Sequence, residues 1–303
     1  MARRALVTGA TGFVGRHCLE PLRARGFEVH GVSRHPVSDA TATWHACDLF
    51  DERSRRSLVD EVAPTHLLHA AWYLEPGKYL GAAENADWVA ASIDLVRAFQ
   101  QRGGERVVAL GTCFEYEFRQ LVLDESAPLG PTSVYGASKQ ALGIALRTLA
   151  DATGLSLAWA RLFFLYGPFE DRRRLVGDIA PSLLEGREVL TSEGLQRRDY
   201  MFVEDAGDAL AAVLDSGVSG DVNVATGEAP PVRELVERVA AAVGRPELVR
   251  YGARPMIPGD PPEIRAAVDR LTQEVGWRAF TPRDEAVART VQWWSAQGAG
   301  GSS

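Results

Sequence analysis

Ala5-Leu6-Val7-Thr8-Gly9-Ala10-Thr11-Gly12-Phe13-Val14-Gly15 is the stretch whose reading decides the fold. A short apolar run is followed at once by three glycines spaced three apart. Glycines at this spacing let the backbone turn sharply, approach a pyrophosphate closely and start a helix whose N-terminal N–H groups face the anion. A tight strand-to-helix turn that binds nothing has similar local needs. Its place at the head of a strand–helix series favours the dinucleotide turn, and makes Gly9, Thr11, Gly12, Phe13, Val14 and Gly15 the candidate cofactor contacts.

Working outward, apolar runs near Ala5–Thr8, Glu28–Ser33, Thr43–Cys47, His66–Ala70, Val107–Thr112 and Ser156–Phe163 alternate with helical patterns beginning near Phe13, Asp51, Leu80 and Ser133. This βαβ rhythm predicts an α/β protein, a Rossmann-type doubly wound parallel sheet with helices on both faces. After about Pro168 the rhythm loosens, and proline-rich breaks at 230–231, 255–258 and 261–262 punctuate helices at Val232–Val243 and Arg283–Trp294. The expected division is a dinucleotide-binding domain over residues 1–168 and a smaller C-terminal, mainly substrate-binding lobe over 169–297, with some segments returning to the first domain. The small polar residues 298–303 are expected to form a disordered tail.

Composition narrows the function. The 303 residues carry 33 Lys+Arg against 40 Asp+Glu, a formal charge of −7, and the longest basic run is Arg172-Arg173-Arg174. A nucleic-acid partner is disfavoured, although local arginines can still hold a small phosphate. Cys18, Cys47 and Cys113 are odd in number and lack metal-ligand spacing, which fits a reducing cytoplasm with no metal site and no disulfide framework. The N-terminus passes directly into an apolar strand and its glycine turn, so neither a signal peptide nor a membrane partner is expected.

Only two of the basic residues are lysines, Lys78 and Lys139. Lys139 stands four residues after Tyr135 in Ser133-Val134-Tyr135-Gly136-Ala137-Ser138-Lys139, so a helix places both on one face. Tyr135, Lys139, Leu142, Leu146 and Leu149 share an inward stripe, where an unpaired ammonium is costly. Ribose hydroxyls and a tyrosine would satisfy it, and the ammonium would lower the tyrosine pKa for proton transfer. Thr112 ends an apolar strand on the side where open α/β sheets bind ligands, and its hydroxyl serves either to orient a carbonyl or to cap the strand. At the end of the second strand Ser33-Arg34 stands where an acid would take a ribose 2′-OH. This favours NADP (NADPH) with NAD as the alternative, unless Arg34 is a solvated strand end. Asp48, with Leu49, is placed either against adenine or as a cap for the helix near Asp51.

Gly9-x-x-Gly12-x-x-Gly15, Thr112 and Tyr135-x-x-x-Lys139 resemble the extended short-chain dehydrogenase/reductase superfamily, in its nucleotide-sugar epimerase/dehydratase/reductase branch. His69-Ala70-Ala71 resembles the fourth-strand motif beside the cofactor, which adds Ala70 and Ala71 to the cofactor contacts. Residues Arg161 to Pro168 resemble Arg-x-x-Asn-x-Tyr-Gly-Pro, and Arg198 to Asp205 resemble Arg-Asp-Phe/Tyr-x-His-Val-x-Asp. The resemblance implies a nucleoside-diphosphate sugar substrate, a homodimer through helices around Leu80–Phe99 and Ser133–Leu149, and a diphosphate contact at Arg198. Phe164 replaces the usual asparagine, Phe202 the histidine, and Met256 stands near where a further arginine is usual, with Arg254 close by. Trp72, Asn85, Cys113, Glu115, Phe164, Arg174, Arg198 and Arg254 are the candidate substrate residues, Cys113 reading more readily as a small buried hydrophobe.

Thr112-Cys113-Phe114-Glu115 lacks the Asp-Glu pair of a 4,6-dehydratase, and all six histidines precede residue 70, which removes the cysteine–histidine 3,5-epimerase. The expectation is therefore NADPH-dependent reduction of a nucleoside-diphosphate 4-keto-6-deoxy sugar, with Thr112, Tyr135 and Lys139 catalytic. An NAD-dependent nucleotide-sugar 4-epimerase is the alternative, ahead of a non-catalytic NADP-sensing regulator.

Overall fold

The computed structural model describes residues 3–299. The opening apolar run forms β1 (Arg4–Thr8), and the turn consumes residues up to Gly15 before α1 (Arg16–Ala24), so the helix starts later than Phe13. The alternation continues through β2 (Glu28–Ser33), β3 (Thr43–Ala46), α2 (Glu52–Val62), β4 (His66–His69), α3 (Glu84–Gln101), β5 (Arg106–Thr112), β6 (Val122–Leu123), α4 (Val134–Thr153) and β7 (Ser156–Leu162). The second half supplies β8 (Phe164–Tyr166), α5 (Leu175–Leu184), β9 (Val189–Leu190), β10 (Arg197–Arg198), β11 (Tyr200–Phe202) and α6 (Val203–Asp215). After these come β12 (Gly220–Val224), α7 (Val232–Val243), β13 (Val249–Arg250), β14 (Glu263–Ala266) and α8 (Arg283–Ala299).

Seven strands pair in parallel in the order β12-β7-β5-β4-β1-β2-β3. The chain winds outward from β1 to β2 and β3, then crosses back to β4 and winds the other way. The reversal opens a crevice at the carboxyl ends of β1 and β4, where ligands of such sheets bind. All seven residues of β5 are buried, as a central parallel strand requires.

One helical layer is sealed by Cys18, Leu19 and Leu22 of α1 against Ala209, Leu210 and Val213 of α6. The other is sealed by Leu58 and Val62 of α2, Leu95 and Phe99 of α3, and Leu142 and Leu146 of α4. Helices α5, α7 and α8 enclose a separate smaller core around Ile179, Val236 and Val287.

The sequence reading placed no strand after Phe163, yet β12 completes the main sheet. Its signal is hidden because Asn223 interrupts the apolar run. That asparagine is buried, and its amide donates to the carbonyls of Leu123 at 2.9 Å and Ala267 at 3.2 Å. The expected tail also changes: Gly298 and Ala299 belong to α8, and residues 300–303 lie outside the described residues.

Candidate active site

The glycines of the turn differ in what demands them. Gly9 has φ +66°, and a Cβ there would meet the Ala71 nitrogen at 2.8 Å. A Cβ on Gly15 would stand 2.2 Å from the Gly9 carbonyl oxygen. Gly12 is exposed, and the nearest atom to a Cβ there is the Gly9 oxygen at 3.0 Å. Two glycines thus let the turn close on itself and on Ala70-Ala71, while the third keeps the outer face bare. The first turn of α1 has no acidic side chain, so its N-terminus stays attractive to an anion. A dinucleotide pyrophosphate fits this cradle.

The floor is pinned by His69. Its Nδ1 lies 2.8 Å from Thr8 Oγ1, its Nε2 lies 2.8 Å from Ser92 Oγ, and the Ala71 N–H donates to Thr8 Oγ1 at 3.3 Å. Burial, with Lys139 nearby, pulls His69 down to about 3, so the ring is neutral.

Toward the adenosine side, Ser33 is half-buried and Arg34 exposed. Asp51, not Asp48, caps α2, accepting from the Arg53 and Ser54 N–H groups. Asp48 is exposed and takes the Phe50 N–H at 2.9 Å, while Leu49 is buried beneath it.

The proton-transfer residues meet where α4 passes the end of β5. Ser133 caps α4 by accepting the Gly136 N–H at 3.1 Å, and a Cβ on Gly136 would lie 2.3 Å from the Phe114 carbonyl oxygen. That missing side chain allows the helix to approach closely, which brings the Tyr135 hydroxyl within the influence of Thr112. Of the two parts foreseen for Thr112, the structure shows the cap, its Oγ1 accepting the Phe114 N–H at 3.3 Å. Tyr135, Lys139, Leu142 and Leu146 are buried as the stripe predicts. By the last turn the helical drift has brought Ala150 inward in place of Leu149.

Lys139 is 4% exposed and donates to the Leu110 carbonyl at 2.8 Å. Burial draws it down from 10.5 to about 7, against the pull of Glu115. The expected acidification of Tyr135 by this lysine is not found. Burial raises the tyrosine, with Thr112 as the chief opposing influence. Tyr135 is accordingly a neutral phenol, a proton donor.

Several expected substrate residues are committed elsewhere. Glu115 is fully buried: it takes the Thr112 N–H at 2.7 Å, the Trp159 indole and Arg161 Nε at 3.0 Å, so it anchors the site rather than lining it. Arg161, itself sealed, continues to Asp221 at 2.9 Å. Asn85 is also fully buried; its amide donates to the carbonyls of Tyr79 and Ala82, and its oxygen accepts from Trp72. Cys113 is a buried thiol that desolvation pushes up, which makes it a packing residue. Trp72 is half-buried and turns its ring toward Lys139.

Arg198 is buried and bound to Asp260 at 2.6 Å and to the Pro261 carbonyl at 2.8 Å, so a diphosphate must compete with the chain's own acceptors. Arg254 is exposed on its loop. Arg174 is half-buried at the N-terminus of α5, its guanidinium 5.9 Å from the Tyr79 ring, which in turn meets Tyr135 edge-on at 5.0 Å. Half-buried Phe164 packs between Phe114 and Tyr200, at 6.1 and 5.4 Å. Sequence reasoning missed Gly136, although its place beside Tyr135 was the available signal, and missed the Leu110 carbonyl, for which no signal exists.

The profile of the NAD dependent epimerase/dehydratase family matches residues 5–225. The chain belongs to that family. UDP-glucose 4-epimerase of Rhizobium meliloti is 29% identical over 319 residues, covering 96% of this chain and 95% of that protein. A 3-diazoavenalumate denitrifying reductase of a Streptomyces species is 30% identical over 257 residues, covering 80% and 82%. The crystal structure of Thermus thermophilus UDP-glucose 4-epimerase in complex with NAD superposes with a TM-score of 0.82 at 27% identity, covering 96% of this chain and 98% of that one. Family membership accounts for the sheet and glycine turn together. Among the described residues no helix is long and apolar enough to cross a membrane.

Proposed function

We propose that the protein interconverts a secondary alcohol and its ketone on a nucleotide sugar, and that its reaction is 4-epimerisation with bound NAD. The observation that carries this reading is the meeting of Thr112, Tyr135 and Lys139 at the carboxyl end of β5, beside the glycine turn. When bound, NAD would take a hydride from the alcohol and return it to the ketone. Tyr135 exchanges a proton with the substrate hydroxyl at its own oxygen, Thr112 orients the substrate oxygen through Oγ1, and Lys139 binds ribose. Glu115, locked to Arg161, is not free to act as an acid or base, which argues against elimination of water.

The 4-epimerase relatives support this reading over the net reduction expected from Arg34, since that residue is exposed and its position alone does not fix the cofactor. Net reduction with NADPH is the second reading. It is favoured by the absence of an acid at Ser33-Arg34 and by the reductase among the relatives. A cytoplasmic homodimer is part of the proposal, with Val134 and Ile144, 47% and 53% exposed, on the outward side of α4.

Incubation with UDP-glucose or UDP-galactose and NAD is expected to give both epimers with no net change in nicotinamide absorbance. Consumption of NADPH with nucleoside-diphosphate 4-keto sugars, and no epimerisation, would select the second reading instead.

A further inference from the structure

We infer that Trp72 is a positioning residue that keeps Lys139 in its ammonium form by presenting the indole face to Nζ. The ammonium lies 3.7 Å from the indole ring centroid. Its hydrogen bond to the Leu110 carbonyl occupies one of three N–H donors. A buried ammonium so sparsely bonded is costly, and the negative face of an indole offsets that cost best where water is excluded.

The indole is braced from its far edge. Trp72 Nε1 donates to Asn85 Oδ1 at 2.8 Å, and Asn85 Nδ2 donates to the carbonyls of Tyr79 at 2.7 Å and Ala82 at 2.9 Å. Trp88 stacks alongside at 6.1 Å. Asn85 therefore acts on the lysine through the tryptophan, which explains a buried amide on α3 with no substrate to hold.

The other titratable groups near Lys139 do not contact Nζ. Glu115, from the turn after β5, favours the ammonium through its charge, while its oxygens are bonded to Thr112, Trp159 and Arg161. His69, from β4, is neutral and bonded to Thr8 and Ser92. Tyr135, one turn earlier on α4, is itself uncharged. Burial draws Lys139 to about 7, so the aromatic contact acts where the charge is in balance.

The chain's two lysines make a direct test available. Protein labelled with ¹³Cε-lysine is titrated by NMR without substrate or cofactor. The exposed Lys78, paired with Glu75, is the internal control. Trp72→Leu is expected to lower the Lys139 midpoint by about one pH unit, and Trp72→Phe, which keeps an aromatic face, by less than half as much. Lys78 stays unchanged. If Trp72→Leu does not fold, Trp72→Met takes its place in the same comparison. Equal shifts in the aliphatic and Phe variants, or no shift in either, would overturn the inference.

Discussion

Gly9, Gly12 and Gly15 clear one end of the proposed cleft of side chains, whereas Phe114, Phe164 and Tyr200 fill the other with rings. The first end offers backbone N–H groups and a helix terminus, which any pyrophosphate can use. The second offers shape, with the Arg198 donors taken by Asp260 and neighbouring carbonyls. Backbone recognition ties a ligand to a fold, while side-chain recognition can change without disturbing the sheet. The difference explains how this chain keeps the family's turn while departing at residues 164 and 202.

The sharpest way to break that comparison lies at the joint between the two ends. Glu115→Gln leaves the sealed Arg161 guanidinium with only Asp221 as counter-charge and should cost about 3 kcal/mol in chemical denaturation. A loss below ~1 kcal/mol would mean that the ends are not coupled through this pair. Gly15→Ala places a Cβ against the Gly9 carbonyl and should cost about 1–3 kcal/mol and weaken dinucleotide binding. Gly12→Ala should weaken binding while leaving the melting temperature nearly unchanged. Calorimetry on the two variants separates fold from ligand demand.

At the substrate end, Phe164→Asn adds a polar group and should lower the KM for a UDP-sugar by about tenfold, the worth of one hydrogen bond, with dinucleotide affinity unaltered. A change in dinucleotide affinity instead would dissolve the distinction between the ends.

The last effect concerns Glu170, between β8 and α5, whose carboxyl burial raises from 4.5 to about 8. Between those values the folded protein holds a proton that the unfolded chain has released, so stability is lost as pH rises through that window. Glu170→Gln should flatten this part of the stability profile relative to wild type, measured as melting temperature against pH. An unchanged slope would show that the carboxyl is already ionised.

What the sequence disclosed follows the same division. The turn, the Tyr135–Lys139 spacing and Thr112 are local patterns, each set by a strand end or a helical period within a few residues. The bonding of Glu115, Asn85 and Trp72 was not legible because their partners are Arg161, the 79–82 carbonyls and Lys139. Those partners lie on other elements and carry no fixed spacing. Strand β12 escaped for the same reason: Asn223 looks like a loop residue until Leu123 and Ala267 supply its acceptors.

The central claim is that Tyr135, oriented beside Thr112, carries the exchanging proton. Its most direct test compares wild type with Tyr135→Phe for UDP-sugar epimerisation and for NAD affinity in the same preparation. The expected result is a loss of turnover of about a hundred- to ten-thousand-fold with NAD affinity within about threefold of wild type. Wild-type turnover in the variant would contradict it.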